Sequence, residues 1–147
     1  MLSRPICMSL PAEAEYIDVV RFTLYGIATR LGFSFEEIED LKVAVSEACN
    51  NAVIHAYGPD SAGCIDIRFE PLPSGLRIIV KDQGSSFDSR QKLEQSSSLH
   101  NRELRETNIG GLGLYLMQAL MDEVEVKSSN GTEVILTKSR SKSEELV

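Results

Sequence analysis

Apolar residues return at two different periods along this chain, and the switches between those periods mark its elements. Residues 5–10 suit a short edge strand, and Pro11 then suits the opening of a helix, where a missing N–H costs nothing. Ile17, Val20, Leu24, Ile27 and Leu31 recur at steps of three and four, so this helix has one buried face, and Gly32 stops it. Ser34-Phe35-Glu36-Glu37 has the S-x-x-E form of a capping box. It starts a second helix that runs toward Gly58, with Ile38, Leu41, Val45, Ala48 and Ala52 as its core stripe. The period then falls to two: Ile65, Ile67 and Phe69 alternate with Asp66 and Arg68, as in a half-buried strand. Residues 71–75 carry turn chemistry, and residues 76–81 form another strand, ending at Asp82. Residues 83–108 show little periodicity, and loops of that length in compact domains are usually lids or disordered segments. A glycine cluster then introduces a third helix with Leu114, Met117, Leu120 and Met121 on its buried side. VEVKSS and TEVILTK close the pattern as a hairpin across Asn130-Gly131, a type I′ turn signal. Residues from about 139 to 147 read as a polar, disordered tail.

The order β, α, α, β, β, long loop, α, β, β groups strands in meanders and helices together. This predicts an α+β fold. Its form is a two-layer α/β sandwich, with one mixed, mostly antiparallel sheet covered on one face by helices. At 147 residues the whole chain fits a single domain, and no internal repeat is visible.

Composition changes this picture little. A net charge of −7 argues against direct nucleic-acid binding, which wants a basic face. No apolar run approaches the ~20 residues that span a bilayer, and the first residues lack a signal-peptide core, so a cytoplasmic location is expected. Three cysteines, Cys7, Cys49 and Cys64, lack CxxC spacing and read as small buried hydrophobes in a reducing compartment.

Three polar constellations sit at the ends of elements. On the second helix Glu47, Asn51 and His55 follow one another at i, i+4 and i+8, beside the apolar stripe and not opposite it. Such a row is either a solvated edge or the floor of a site. In a site, the Asn51 carboxamide oxygen suits Mg²⁺, and the Glu47 carboxylate can accept a proton. His55 fits best as the last wet turn of the helix. In VKDQGSSFD, Asp82 ends a strand two residues before Gly84. This is either a plain turn or an acceptor for an exocyclic amine with a glycine that lets a flat ring approach. In NIGGLGLYLM, three glycines stand where a helix begins. They form either a hinge or a set of backbone N–H groups that cradle phosphate.

Taken together and in this order, these segments resemble the N, G1 and G2 boxes of the GHKL ATP-binding superfamily of gyrase, heat-shock chaperone, histidine-kinase and mismatch-repair ATPases. Gly131-Thr132 resembles its further GT element. SEACNNAVIHAY, VKDQGSSFD and GGLGLYLMQALMDEV are similar to the branch of anti-sigma factors with serine-protein kinase activity, of the anti-sigma-B type. Ser86 replaces the second glycine of the superfamily's DxGxG, a departure that itself resembles this branch. There is no GxxxxGK[ST], HRD or DFG, so P-loop and eukaryotic-type kinase chemistry do not apply.

The resemblance implies a GHKL-type ATPase fold that binds ATP and Mg²⁺. It implies phosphorylation of a serine on an anti-anti-sigma factor, sequestration of a stress-type sigma factor, and a homodimer. Glu47 falls on the catalytic base and Asn51 on the Mg²⁺ ligand. Asp82 falls on the adenine reader, with Gly84 as its platform and Thr132 beside it. Gly110, Gly111, Leu112, Gly113 and Leu114 fall on the phosphate cradle. Residues 85–109 become an ATP lid anchored by Phe87, with Arg90, Lys92, Arg102 and Arg105 as candidates to reach the γ-phosphate; His100 receives no role. Two other readings compete. An ATP-dependent sequestering module without transfer has no use for Glu47. A detached histidine-kinase ATPase domain requires a phosphoacceptor helix hairpin, and neither His55 nor His100 supplies one.

Overall fold

The computed structural model describes residues 2–56, 63–82, 111–128 and 131–141. Its elements are β1 (Ile6–Pro11), α1 (Ile17–Arg30), α2 (Phe35–Asn51), β2 (Cys64–Leu72), β3 (Gly75–Asp82), α3 (Gly111–Leu120), β4 (Glu123–Lys127) and β5 (Thr132–Ser139). The five strands form one sheet in the order β1-β2-β3-β5-β4, and all neighbouring pairs are antiparallel. The last strand in the chain therefore inserts between β3 and the edge strand β4. This sets Thr132 opposite Asp82.

One face of the sheet makes the core. Ile65, Ile67, Phe69, Leu76, Ile78, Val80 and Leu136 are all buried, at the period of two their strands require. Against them pack Val20, Leu24 and Leu31 of the first helix region, Leu41, Val45 and Ala48 of α2, and Met117 and Met121 at α3. Each large aliphatic side chain so removed from water contributes about 1.5–3 kcal/mol. The opposite face is mixed: it carries the Arg68–Glu70–Arg77 and Lys81–Glu133 ion pairs beside the half-buried Ile79 and Ile135. This is the two-layer α/β sandwich that the pattern predicts.

The helix boundaries follow from local chemistry. At the end of α1 the Gly32 N–H donates to the Thr29 carbonyl and the Phe33 N–H to the Ala28 carbonyl, which closes the helix in a Schellman motif. The capping box at α2 forms in full. The Glu37 N–H donates to Ser34 Oγ at 3.2 Å, and the Ser34 N–H donates to Glu37 Oε1 at 2.7 Å. The other carboxylate oxygen of Glu37 accepts from the Ser141 N–H at 2.7 Å, tying the exit of β5 to the entrance of α2.

Four expectations need correction. Pro11 ends β1 and opens no helix. α1 starts at Ile17 after a single 3₁₀ turn (Ala14–Tyr16), because Pro11 is still paired with Cys64 on β2. The second helix changes character after Asn51, where Ala52–Ala56 form a π-helical turn. β4 and β5 pair from Glu123↔Thr137 to Lys127↔Glu133, so residues 128–132 lie between them, more than a two-residue turn needs. Thr132 is already committed to β3, and Asn130 lies outside the described residues. Only Cys49 is buried; Cys7 and Cys64 are exposed on the sheet.

Candidate functional site

Glu47 and Asn51 are both half-buried, while Val45, Ala48 and Ala52 of the neighbouring stripe are fully buried. Glu47 and Asn51 are therefore no solvated edge, while the side chain of His55 lies outside the described residues. What covers the pair is the first turn of α3. A Cβ built on Gly113 would sit 2.9 Å from Glu47 Oε1, 3.5 Å from Asn51 Nδ2 and 3.7 Å from Asn51 Oδ1. The carboxylate and the carboxamide lie directly against the bare backbone that opens α3. Any side chain at this position would push the carboxylate aside. The first turn of a helix leaves backbone N–H groups without intrahelical partners, so acid, amide and donors converge at one place.

A second cluster forms at the end of β3. Asp82 is 4% exposed, and its Oδ1 accepts from the Thr132 N–H at 3.3 Å. Gly131 has φ +102°, and a Cβ there would meet the Asp82 carbonyl oxygen at 2.2 Å. A glycine is thus required twice over, by backbone conformation and by space. Asp82 shares the inward phase of Leu76, Ile78 and Val80, so it lies on the helix-covered side of the sheet. The π-helical turn that follows Asn51 lies against β3.

The structure therefore brings together Glu47, Asn51 and Gly113, and separately Asp82, Gly131 and Thr132. Gly111 is the first residue of α3, and Leu114 is half-buried against the core. Leu112 is exposed, which leaves its backbone as its possible contribution to a cradle. Gly84, Gly110 and the lid residues 85–109 lie outside the described residues, as does Asn130. Sequence reasoning missed the π-helical turn, which has no local signature, and it missed Arg21 and Ser46. The Arg21 guanidinium Nε donates to Ser46 Oγ at 2.7 Å, between α1 and α2. Nearby, burial pushes the Cys49 thiol up to about 12, with the Arg21 charge pulling the other way, so this cysteine is an inert part of the core.

The sequence and the fold match known proteins. Residues 10–138 match the model of the histidine kinase-like ATPase domain. The serine-protein kinase RsbW of Bacillus subtilis is 48% identical over 132 residues, covering 89% of this chain and 82% of that protein. This chain belongs to the histidine kinase-like ATPase family, in the branch of the RsbW serine-protein kinases. The RsbW kinase of Bacillus pumilus is 51% identical over 134 residues, with 89% and 83% of the two chains covered. Among solved structures, the RsbU and RsbW domains of Rv1364c from Mycobacterium tuberculosis share the fold. The TM-score is 0.67 at 23% identity, over 94% of this chain and 33% of that one. Family membership makes the chain a protein-serine kinase built on an ATPase-type domain. No helix among the described residues is long and apolar enough to cross a membrane.

Proposed function

We propose that this chain phosphorylates a serine of an anti-anti-sigma factor with Mg-ATP, and that it sequesters a stress-type sigma factor as its alternative partner. One observation supports transfer above all: the Glu47 carboxylate and the Asn51 carboxamide rest against the glycine backbone at the head of α3. A helix N-terminus favours a phosphate, so a carboxylate beside that turn would stand within reach of a terminal phosphate bound there.

Bound Mg-ATP supplies the phosphoryl group and the cation that neutralises it, and the protein's part is positioning and charge. Glu47 accepts the proton of the incoming serine hydroxyl. Asn51 presents a neutral oxygen that fits Mg²⁺, a cation that takes few protein ligands. Gly110, Gly111, Leu112, Gly113 and Leu114 offer backbone N–H groups to phosphate oxygens. Asp82 accepts a hydrogen bond from the adenine amine, with Thr132 beside it and Gly84 as platform. The protein works in the cytoplasm as a homodimer, touching neither nucleic acid nor membrane, which its charge of −7 supports.

The test uses the full chain with radiolabelled Mg-ATP and cytosolic extract from its own source. A small anti-anti-sigma protein should gain phosphate on serine, and a sigma subunit should co-purify with the kinase. Transfer that survives Glu47→Gln would overturn the base assignment. Unchanged nucleotide affinity in Asp82→Asn combined with Gly111→Ala would overturn the pocket.

A further inference from the structure

The residue next to the proposed base is itself held by a bond that its role in a core does not require. Ser46 is 6% exposed, and its hydroxyl is used twice. It donates to the Lys42 carbonyl one turn back at 2.6 Å and accepts from Arg21 Nε at 2.7 Å. Arg21 in turn is ion-paired with Asp18 on the surface of α1. The guanidinium thus spans from the solvent side of α1 to the buried side of α2.

Successive residues of a helix point about 100° apart. Ser46 faces α1 while Glu47 faces the first turn of α3, so the two side chains hold α2 from different sides. Side-chain tips lie about 5–6 Å from a helix axis. A rotation of α2 by roughly 10° therefore moves the Glu47 carboxylate by about 1 Å. A displacement of that size at a reacting group can cost on the order of 10²-fold in rate. Apolar packing alone resists such small rotations weakly, because it has no direction. A hydrogen bond from a charged donor is directional and strong.

We propose that Arg21 is a positioning residue for phosphoryl transfer, fixing the rotational setting of α2 through Ser46 and so the aim of Glu47. This rests on Glu47 being the base, and it adds a role that reaches the surface of α1. A partner that docks on α1 near Asp18 would touch the outer edge of the same guanidinium whose inner edge sets the catalytic helix.

The experiment measures transfer by the full chain to the anti-anti-sigma protein recovered from the same source, at saturating ATP. The variants are Arg21→Ala, Ser46→Ala, Ser46→Thr, the Arg21→Ala/Ser46→Ala pair, and Glu47→Gln. We expect kcat to fall about tenfold in each single alanine variant and no further in the pair, since both remove one bond. ATP affinity stays unchanged, and Ser46→Thr, which keeps the hydroxyl, recovers the lost kcat. Full kcat in Ser46→Ala overturns the proposal. So do losses that multiply in the pair, or an Arg21→Ala defect confined to KM for the protein substrate, which would mean docking alone. If Glu47→Gln transfers normally, the base reading falls and the positioning role with it. A silent Glu47→Gln beside a fully active Ser46→Ala removes only the positioning role.

Discussion

The two halves of the site are built by different physics. Glu47, Asn51 and Gly113 meet where α2 packs against α3, and among the described residues side-chain packing sets their relative position, with the Arg21–Ser46 bond holding α2 to α1. Asp82, Gly131 and Thr132 meet inside a sheet, where the β3–β5 register places Asp82 opposite Thr132. Helices can rotate and slide by small amounts at low cost, whereas strands in register move only by breaking a ladder. The half assigned to chemistry is therefore adjustable, and the half assigned to the nucleotide base is rigid. A kinase that must act on one partner and hold another gains from that division.

Substitutions should separate the two halves. The largest effect falls on the helix side. Glu47→Ala should lower kcat for serine phosphorylation by ~10²–10⁴-fold, the usual contribution of a positioned general base. Nucleotide affinity, measured by titration calorimetry, should barely change. Next comes the strand side. Gly131→Ala forces a side chain into φ +102° and against the Asp82 carbonyl, so it should destabilise the fold by about 2–4 kcal/mol. Chemical denaturation should show that loss together with weaker nucleotide binding, since the Asp82 carboxylate cannot keep its place. Gly113→Ala presses a methyl on the flexible end of Glu47, 2.9 Å away, with the Asn51 side chain as its next neighbour. It should cut kcat about tenfold through a shift of roughly half an ångström or more, while the melting temperature stays within a few degrees. If Gly113→Ala proves as destabilising as Gly131→Ala, the contrast between an adjustable and a rigid half is wrong.

The smallest effect lies on the open face of the sheet and serves as a control for both halves. Hydrogen bonds from Arg68 and then Arg77 hold the Glu70 carboxyl below its ordinary value. A carboxylate with a depressed folded-state pKa stabilises the protein above its unfolded pKa. That stabilisation is lost as pH falls through the folded value. Glu70→Gln should thus cost well under ~1 kcal/mol at neutral pH, as surface ion pairs do. The difference from wild type should vanish in acid, with no change in transfer.

Much of this was legible before any coordinates. The capping box at Ser34 and Glu37, the core stripes of both long helices and the inward phase of β2 and β3 follow from local periodicity, and each is found. The pairing of Glu47 with Asn51 was legible too, because it is local to one helix. What covers that pair was not, since Gly113 reaches it from far along the chain. Nor does chain order reveal that β5 lies inside the sheet and β4 at its edge. That is a matter of burial, with Val134 and Leu136 buried and most of β4 exposed. The bond from Arg21 to Ser46 joins two residues that look ordinary in isolation. Pro11 misled because proline fits the first turn of a helix and the end of an edge strand alike.

Glu37 carries one further consequence. One of its carboxylate oxygens secures the entrance of α2, and the other waits for the N–H of Ser141, which is made more than a hundred residues later. During synthesis α2 emerges early, with its capping box complete and the second Glu37 oxygen still without Ser141. Its last clasp closes only once β5 has left the ribosome and slotted between its neighbours. A polypeptide interrupted between Thr132 and Ser141 would hold every residue named for the chemistry and still lack this fastening at the entrance of α2.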